Sequence, residues 1–230
     1  MAIPLASVSY SVGSWGQLLQ PDTIAMRSLL LVVAAVDAAK DWRDAACLSG
    51  VVDAGATGRD VGIAAAAVDS IQCQSAETTR YSVEQIVDCA PHLQFNTSSA
   101  LAYVLSAGLE EEAAYPAAAR PEKCAYSAAK ATKKIAGVVA GDSDAAMAEA
   151  VAHSPVTASM AVGDAWICYT SGIITNCGGN ATNHVVSVVG VADDHWVVKE
   201  AWGATWGEGG FALVARKACH LGEDFAYARL

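Results

Sequence analysis

The sequence predicts an α+β chain, with helices in its first half and strands in its second. Three observations predict it. An alanine-rich run from Asp60 to about Gln74 reads as a buried helix. Two shorter stretches, "SVEQIVDCA" (Ser82 to Ala90) and "SSALAYVLS" (Ser98 to Ser106), read as further helices. Beyond Lys134 the pattern changes to short β-branched runs separated by Gly, Asp and Asn.

Taken in order, residues 1–26 carry no Lys or Arg, so Met1 does not begin an ordinary signal peptide. "MRSLLLVVAAVDA" (Met26 to Ala38) has the layout of one, with Arg27, an apolar core and small residues at its end; a short buried helix or strand fits it equally. The apolar run is too short to span a bilayer. Residues 1–40 are therefore read as an N-terminal extension.

The long helix follows a glycine-rich turn, with Gly58 just before it and Asp60 as a good N-cap. Ser82 stands at cap spacing before Glu84 and Gln85 and opens the second helix. In the second half, "IAGVVAG", "PVTASMAV", "HVVSVVGVA", "HWVVKEAW" and "GFALVAR" read as strands, interrupted by one helix at Asp144 to Ser154. The chain divides into a helical lobe, 41–133, and a β-rich lobe, 134–230, with a site expected between them.

Composition bounds the function. Of 230 residues, 53% are hydrophobic and 17% charged, which describes a globular protein. A net charge of −10 argues against a nucleic-acid surface. Seven cysteines without CxxC spacing favour disulfides in an oxidising compartment over zinc, and the odd count leaves at least one thiol. Two triplets, Asn96-Thr97-Ser98 and Asn180-Ala181-Thr182, are compatible with secretion.

Several segments together resemble the papain-like cysteine peptidases, the papain and cathepsin family. "DWRDAACLSGVVDAGATGRDVGIAAA" is similar to the start of the mature enzymes. "YSVEQIVDC" resembles the Ser-Glu-Gln-x-Leu-x-Asp-Cys segment, and "SPVTASMAV" the Gly-Pro-Val strand. "NHVVSVVGV" resembles the strand of the catalytic His, and "VVKEAWGATWGEGGFALVAR" the Lys-Asn-Ser-Trp-Gly segment. The similarity spans about residues 41 to 230 in the family's order. It implies a two-lobed fold, a helical N-terminal lobe and an antiparallel, barrel-like β lobe with the cleft between them.

It also implies a set of site positions. The base position is His184, the nucleophile position Asp60, the orienting position Glu200, the oxyanion position Ala54 and the shielding position Trp202. The last two members of the triad lie 124 and 140 residues beyond Asp60, close to the family's spacing. Family chemistry needs a thiolate at a helix N-terminus, an imidazole, an orienting amide and an oxyanion donor. Of these four, only His184 is kept. A carboxylate is a poor nucleophile towards an amide, yet at Asp60 it favours the helix dipole and can pair with His184. The resemblance further implies disulfides Cys89 with Cys124 and Cys177 with Cys219. The bridge beside the nucleophile is lost: its first position is Thr57, and "APHLQFNTSS" lacks both its second cysteine and the cleft-wall glycines. Cys47, Cys73 and Cys168 have no family partners and are expected as small buried hydrophobes. Only about 40 residues precede Asp41, too few for the family's long helical propeptide.

The expectation is an inactive homologue that binds a peptide, an inhibitor or a protein partner in the secretory pathway, outside the cell or in a lysosome- or vacuole-like compartment. No cofactor, metal, nucleic acid or membrane span is expected. Three alternatives stand beside it: a hydrolase acting through an altered site, for which Thr57 is the weak candidate nucleophile; a divalent metal held by Asp60, His184 and Glu200; and a structural subunit of a larger assembly. His92, His153, His195 and His220 are expected as surface or loop residues, and Trp15, Trp42, Trp166, Trp196 and Trp206 as core and fold residues.

Overall fold

In a computed structural model the described residues are 39–230 without 56–57, 76–77, 91–92, 94–95 and 119–122; for 58–60 the backbone alone is described. The 1–38 readings, Trp15, Thr57 and His92 lie outside them.

The chain enters on a two-residue strand, β1 (Lys40–Asp41), and reaches the long helix α1 (Gly58–Gln72). This helix opens two residues before Asp60 and closes two before Gln74, so Asp60 is its third residue and not its cap. The turn is completed earlier, at Gly55, whose φ of +51° suits glycine. Every residue from Ile63 to Gln72 is buried, as expected of a helix apolar on nearly all sides. Two helices flank it: α2 (Val83–Cys89) and α3 (Ser99–Ala107). Ser82 caps α2 as read from the sequence, its Oγ accepting from Gln85 N at 3.0 Å.

A small hairpin of β2 (Leu109–Glu110) and β3 (Ala131–Lys133) leads into the main sheet. That sheet is built from β4 (Gly137–Gly141), β5 (Val156–Met160), β6 (Ile173–Ile174), β7 (His184–Val191), β8 (His195–Lys199), β9 (Phe211–Ala215) and β10 (Phe225–Arg229). Helices α4 (Asp144–His153) and α5 (Asp164–Ile167) interrupt it. The strands run in the order β4-β10-β5-β7-β8-β9-β6, with β1 added alongside β7. All pairings are antiparallel except β6 with β9. Strand β7 is the hub, since β5, β8 and β1 all pair with it. Gly190 makes the β1 pairing possible: a Cβ there would lie 2.8 Å from Lys40 O and from the Val197 side chain.

Two cores result. One lies among α4, α5 and the sheet, around Met147, Met160, Trp166, Trp196 and Phe225. The other joins α1, α2 and α3 to the opposite side of the sheet through Ile135, Val185, Ala226 and Ala228. The α+β class read from the sequence is the observed one.

Disulfides pair Cys89 with Cys124 and Cys177 with Cys219. The expectation for the remaining cysteines is corrected. Cys47 and Cys73 form a third bridge, because the loop before α1 folds back along it and brings their Cα atoms to 5.0 Å. Cys168 is free and exposed, not buried, where it caps the C-terminus of the short helix α5.

Candidate functional site

Site geometry begins with two strand ends. His184 is the first residue of β7, paired with Met160 of β5. Glu200 follows the last residue of β8, and its backbone N donates to Gly210 O at 2.9 Å. The end of β8 is fixed from below by Lys199. Its Nζ donates to Asp69 Oδ2 at 2.8 Å, to Ser49 O at 2.7 Å and to Ser49 Oγ at 2.7 Å. Asp69 Oδ1 accepts from Ser49 N at 2.7 Å. All three ammonium hydrogens are thus used on a buried pair, the condition under which such a pair is tolerated.

His184 Nε2 lies 2.6 Å from Glu200 Oε1. Glu200 is 4% exposed, and two further groups hold its carboxylate in place. Oε1 also accepts from Trp166 Nε1 at 2.9 Å, and Oε2 accepts from Ala201 N at 3.1 Å. An ionised carboxylate only accepts, so the short contact assigns a proton to Nε2. Among the described residues Nδ1 of His184 has no hydrogen-bond partner. The Trp202 ring stands 5.4 Å from the His184 ring, tilted by 44°. Behind it, Trp206 lies 5.3 Å from Trp202, 5.0 Å from Trp166 and 5.6 Å from Tyr169. Burial pushes the Tyr169 phenol above its ordinary pKa; the Leu213 amide opposes the shift, and Glu208, which accepts from it, adds to it. It is a structural phenol, its one hydrogen shared between Glu208 Oε1 and Gly172 O.

Ala54 is brought to the same place from the other side of the chain. Ala54 N donates to Ala201 O at 2.9 Å, Asp53 pairs with Trp202, and Gly203 N donates to Val52 O at 3.0 Å. Gly203 has a φ of +79°, and a Cβ there would crowd Asp53. Residues 52–54 and 201–203 therefore run side by side, one step from Glu200. Helix α1 abuts the same strip: the Cβ position of Gly62 is 3.4 Å from Ala201 Cβ. Asp60 lies two residues earlier in α1, and its side chain is outside the described residues. Behind the site is a cavity of about 10 Å³ lined by Gly62, Asp69, Ser187, Lys199, Glu200 and Ala201, among others. That is about the space of one water molecule.

The structure thus brings together His184, Glu200, Trp202 and Ala54. Sequence reasoning missed Trp166, which it placed in the core only. The indole is fully buried, but its N–H is spent on Glu200. A buried Trp usually spends its N–H on a partner, and that was the available signal, although the buried Trp196 N–H has no partner among the described residues. The other tryptophans and histidines lie mostly where expected: Trp196 is buried, His153 and His220 are exposed, and Trp42 and Trp206 are only partly buried. His195 is also part-buried and pairs with Asp194 at 2.6 Å. Among the described residues no group of three His, Cys, Asp or Glu side chains is arranged to hold a metal ion. Among them, too, no helix is long and apolar enough to cross a membrane.

A helical layer packed on a largely antiparallel sheet is the α+β architecture of the papain-like fold. The chain belongs to the papain family of cysteine proteases, whose model matches residues 36–229. A cysteine protease of Ambrosia artemisiifolia, Amb a 11.0101, is 32% identical over 193 residues, 77% of this chain and 50% of its own. Pro-cathepsin H of Mus musculus is 33% identical over 154 residues, 58% of this chain and 45% of its own. The chain spans about half the length of these curated relatives. Among solved structures, the proform of the Amb a 11 protease superposes with a TM-score of 0.71 at 27% identity, covering 84% of this chain and 65% of that one. The bromelain protease of Ananas comosus, in complex with the E64 inhibitor, gives 0.71 at 25% identity, covering 84% of this chain and 98% of that one.

Proposed function

We propose that this chain is a non-catalytic papain-family protein that binds a peptide, an inhibitor or a protein partner in the cleft beside His184. One observation carries the reading: no thiol is paired with the imidazole. Six of the seven cysteines are in disulfides, and the seventh, Cys168, makes no hydrogen bond to His184. The residues carried over from the family agree with it. Asp60 occupies the nucleophile position, Glu200 the orienting position, and Ala54, with only a methyl group, the oxyanion position. Glu200 gives His184 a negative partner in a buried setting, so the site keeps an ordered polar pair with no thiol or hydroxyl bonded to the imidazole among the described residues. We assign the helical lobe to 41–133 and the β-rich lobe to 134–230, with 1–40 as an extension. The three disulfides support passage through an oxidising, secretory compartment.

The test is hydrolysis of a mixed peptide library by the wild type and by the triple variant Asp60→Cys, Ala54→Gln, Glu200→Asn. The wild type is expected to be silent, and cleavage by the triple variant would show that the cleft still accepts peptides. Cleavage by the wild type that disappears in His184→Ala would overturn the reading. Silence of both turns the search to protein partners, where stoichiometric co-purification marks a subunit of an assembly.

A further inference from the structure

We propose that Asn180 carries an N-linked oligosaccharide at the rim of the His184 site. The inference rests on the secretory reading above. Asn180-Ala181-Thr182 is an acceptor triplet with no proline in its middle position. It forms the tip of the loop between β6 and β7, and all three residues are exposed.

That loop is anchored at both ends. Cys177 is bridged to Cys219, and Gly178 pairs with Val162. Gly179 lies so close to the backbone of Ala161 and Val162 that a Cβ there would stand 2.7 Å away. At the far end, Asn183 Oδ1 accepts from Val162 N and its Nδ2 donates to Val162 O, each at 2.9 Å. Between the anchors, Asn180, Ala181 and Thr182 make no hydrogen bond among the described residues. An amide side chain on a fixed base, with nothing to surrender, accepts a bulky hydrophilic group without loss of packing or pairing. The other triplet is built into the structure. Asn96 Oδ1 accepts from Ser98 N at 2.8 Å, its carbonyl accepts from Ser99 N and Ser99 Oγ, and Thr97 is buried with its hydroxyl on Asp224 at 3.1 Å.

The donor is a lipid-linked oligosaccharide diphosphate. Asn180 Nδ2 forms a bond to the anomeric carbon as that carbon's bond to the diphosphate oxygen breaks. The diphosphate leaves with the electron pair, and the amide gives up one proton. Asn180 lies four residues before His184, at most about 14 Å away along extended chain. The sugar therefore shares the rim with His184 and restricts approach by a folded protein more than by a short peptide.

The experiment expresses the full chain in eukaryotic cells, once with its own N-terminus and once behind a heterologous secretion leader. Purified protein is treated with peptide N-glycosidase in heavy-oxygen water, and the peptide containing Asn180 is read by mass spectrometry. Expected is conversion of Asn180 to heavy-labelled Asp in both preparations, abolished by Thr182→Ala and by Asn180→Gln. An unlabelled Asn180 in protein recovered from the medium, or label confined to Asn96, overturns the proposal and leaves the secretory reading intact. Label only behind the heterologous leader overturns both.

Discussion

Glu200 is the residue on which the site's geometry turns, because two donors from different elements, Trp166 and His184, meet on one of its oxygens. Removing one donor while keeping the ring isolates its share. Trp166→Phe preserves the apolar packing against Trp206 and Tyr169 and deletes the N–H aimed at Glu200. A hydrogen bond to a charged group contributes about 1.5–3 kcal/mol, and the urea midpoint should fall by an equivalent amount with the slope unchanged. No change would mean that the indole N–H is immaterial to the carboxylate. Replacing Glu200 itself by Ala strands both donors in a buried place, and its cost should exceed that of Trp166→Phe. The site was legible at this scale wherever a motif fixed the position. His184 opens β7, while Glu200 and Trp202 follow directly on β8, its antiparallel neighbour, so their mutual approach follows from the β7–β8 register. Trp166 was not legible, since its role depends on a short helix, α5, whose four residues carry no periodic signal.

At the scale of elements, α1 and β8 are joined by the Lys199–Asp69 pair, with Ser49 completing both partners' shells. Asp69 is fully buried and Lys199 nearly so, at side-chain exposures of 0% and 3%. Truncating one partner leaves an uncompensated charge, so Asp69→Ala should destabilise by about 3–5 kcal/mol. The paired replacement Asp69→Leu with Lys199→Met should cost less than Asp69→Ala alone, because it removes both charges and retains volume. Equal losses in the two variants, measured by denaturant unfolding, would refute this account. The capped helices, α2 and α4, and the β-branched strands were read within one to three residues, since caps and branching act locally. The start of α1 was misplaced by two residues because Asp60 looked like a cap, and β10 went unread although it pairs with both β4 and β5. Its alternation of Phe225, Ala226, Tyr227 and Ala228 acquires meaning only from neighbours about 70 to 90 residues away.

For the whole molecule, each disulfide closes within one side of residue 134, two before it and one after. The helical layer is tied to the sheet only by non-covalent contacts such as Lys199–Asp69, Gln74 Nε2 to Ala228 O and Thr157 Oγ1 to Thr97 O. Their strength depends on where α1 is held, and the Cys47–Cys73 bridge holds its far end. Gln72 Nε2 donates to Cys47 O, and Ser49, two residues on, contacts both Asp69 and Lys199. The bridge joins residues 26 apart. Closing a loop of that length removes unfolded-state entropy worth about 3–4 kcal/mol. The double variant Cys47→Ala, Cys73→Ala should therefore melt about 6–16 °C lower by calorimetry, on the scale of about 2–4 °C per kcal/mol for a chain of this size. Alkylation of the native wild type without reductant should modify Cys168 alone, since it is the free, exposed thiol. Labelling of Cys47 and Cys73 as well, or an unchanged melting temperature, would mean that the bridge does not form in solution, and that the buried ion pair secures α1 unaided.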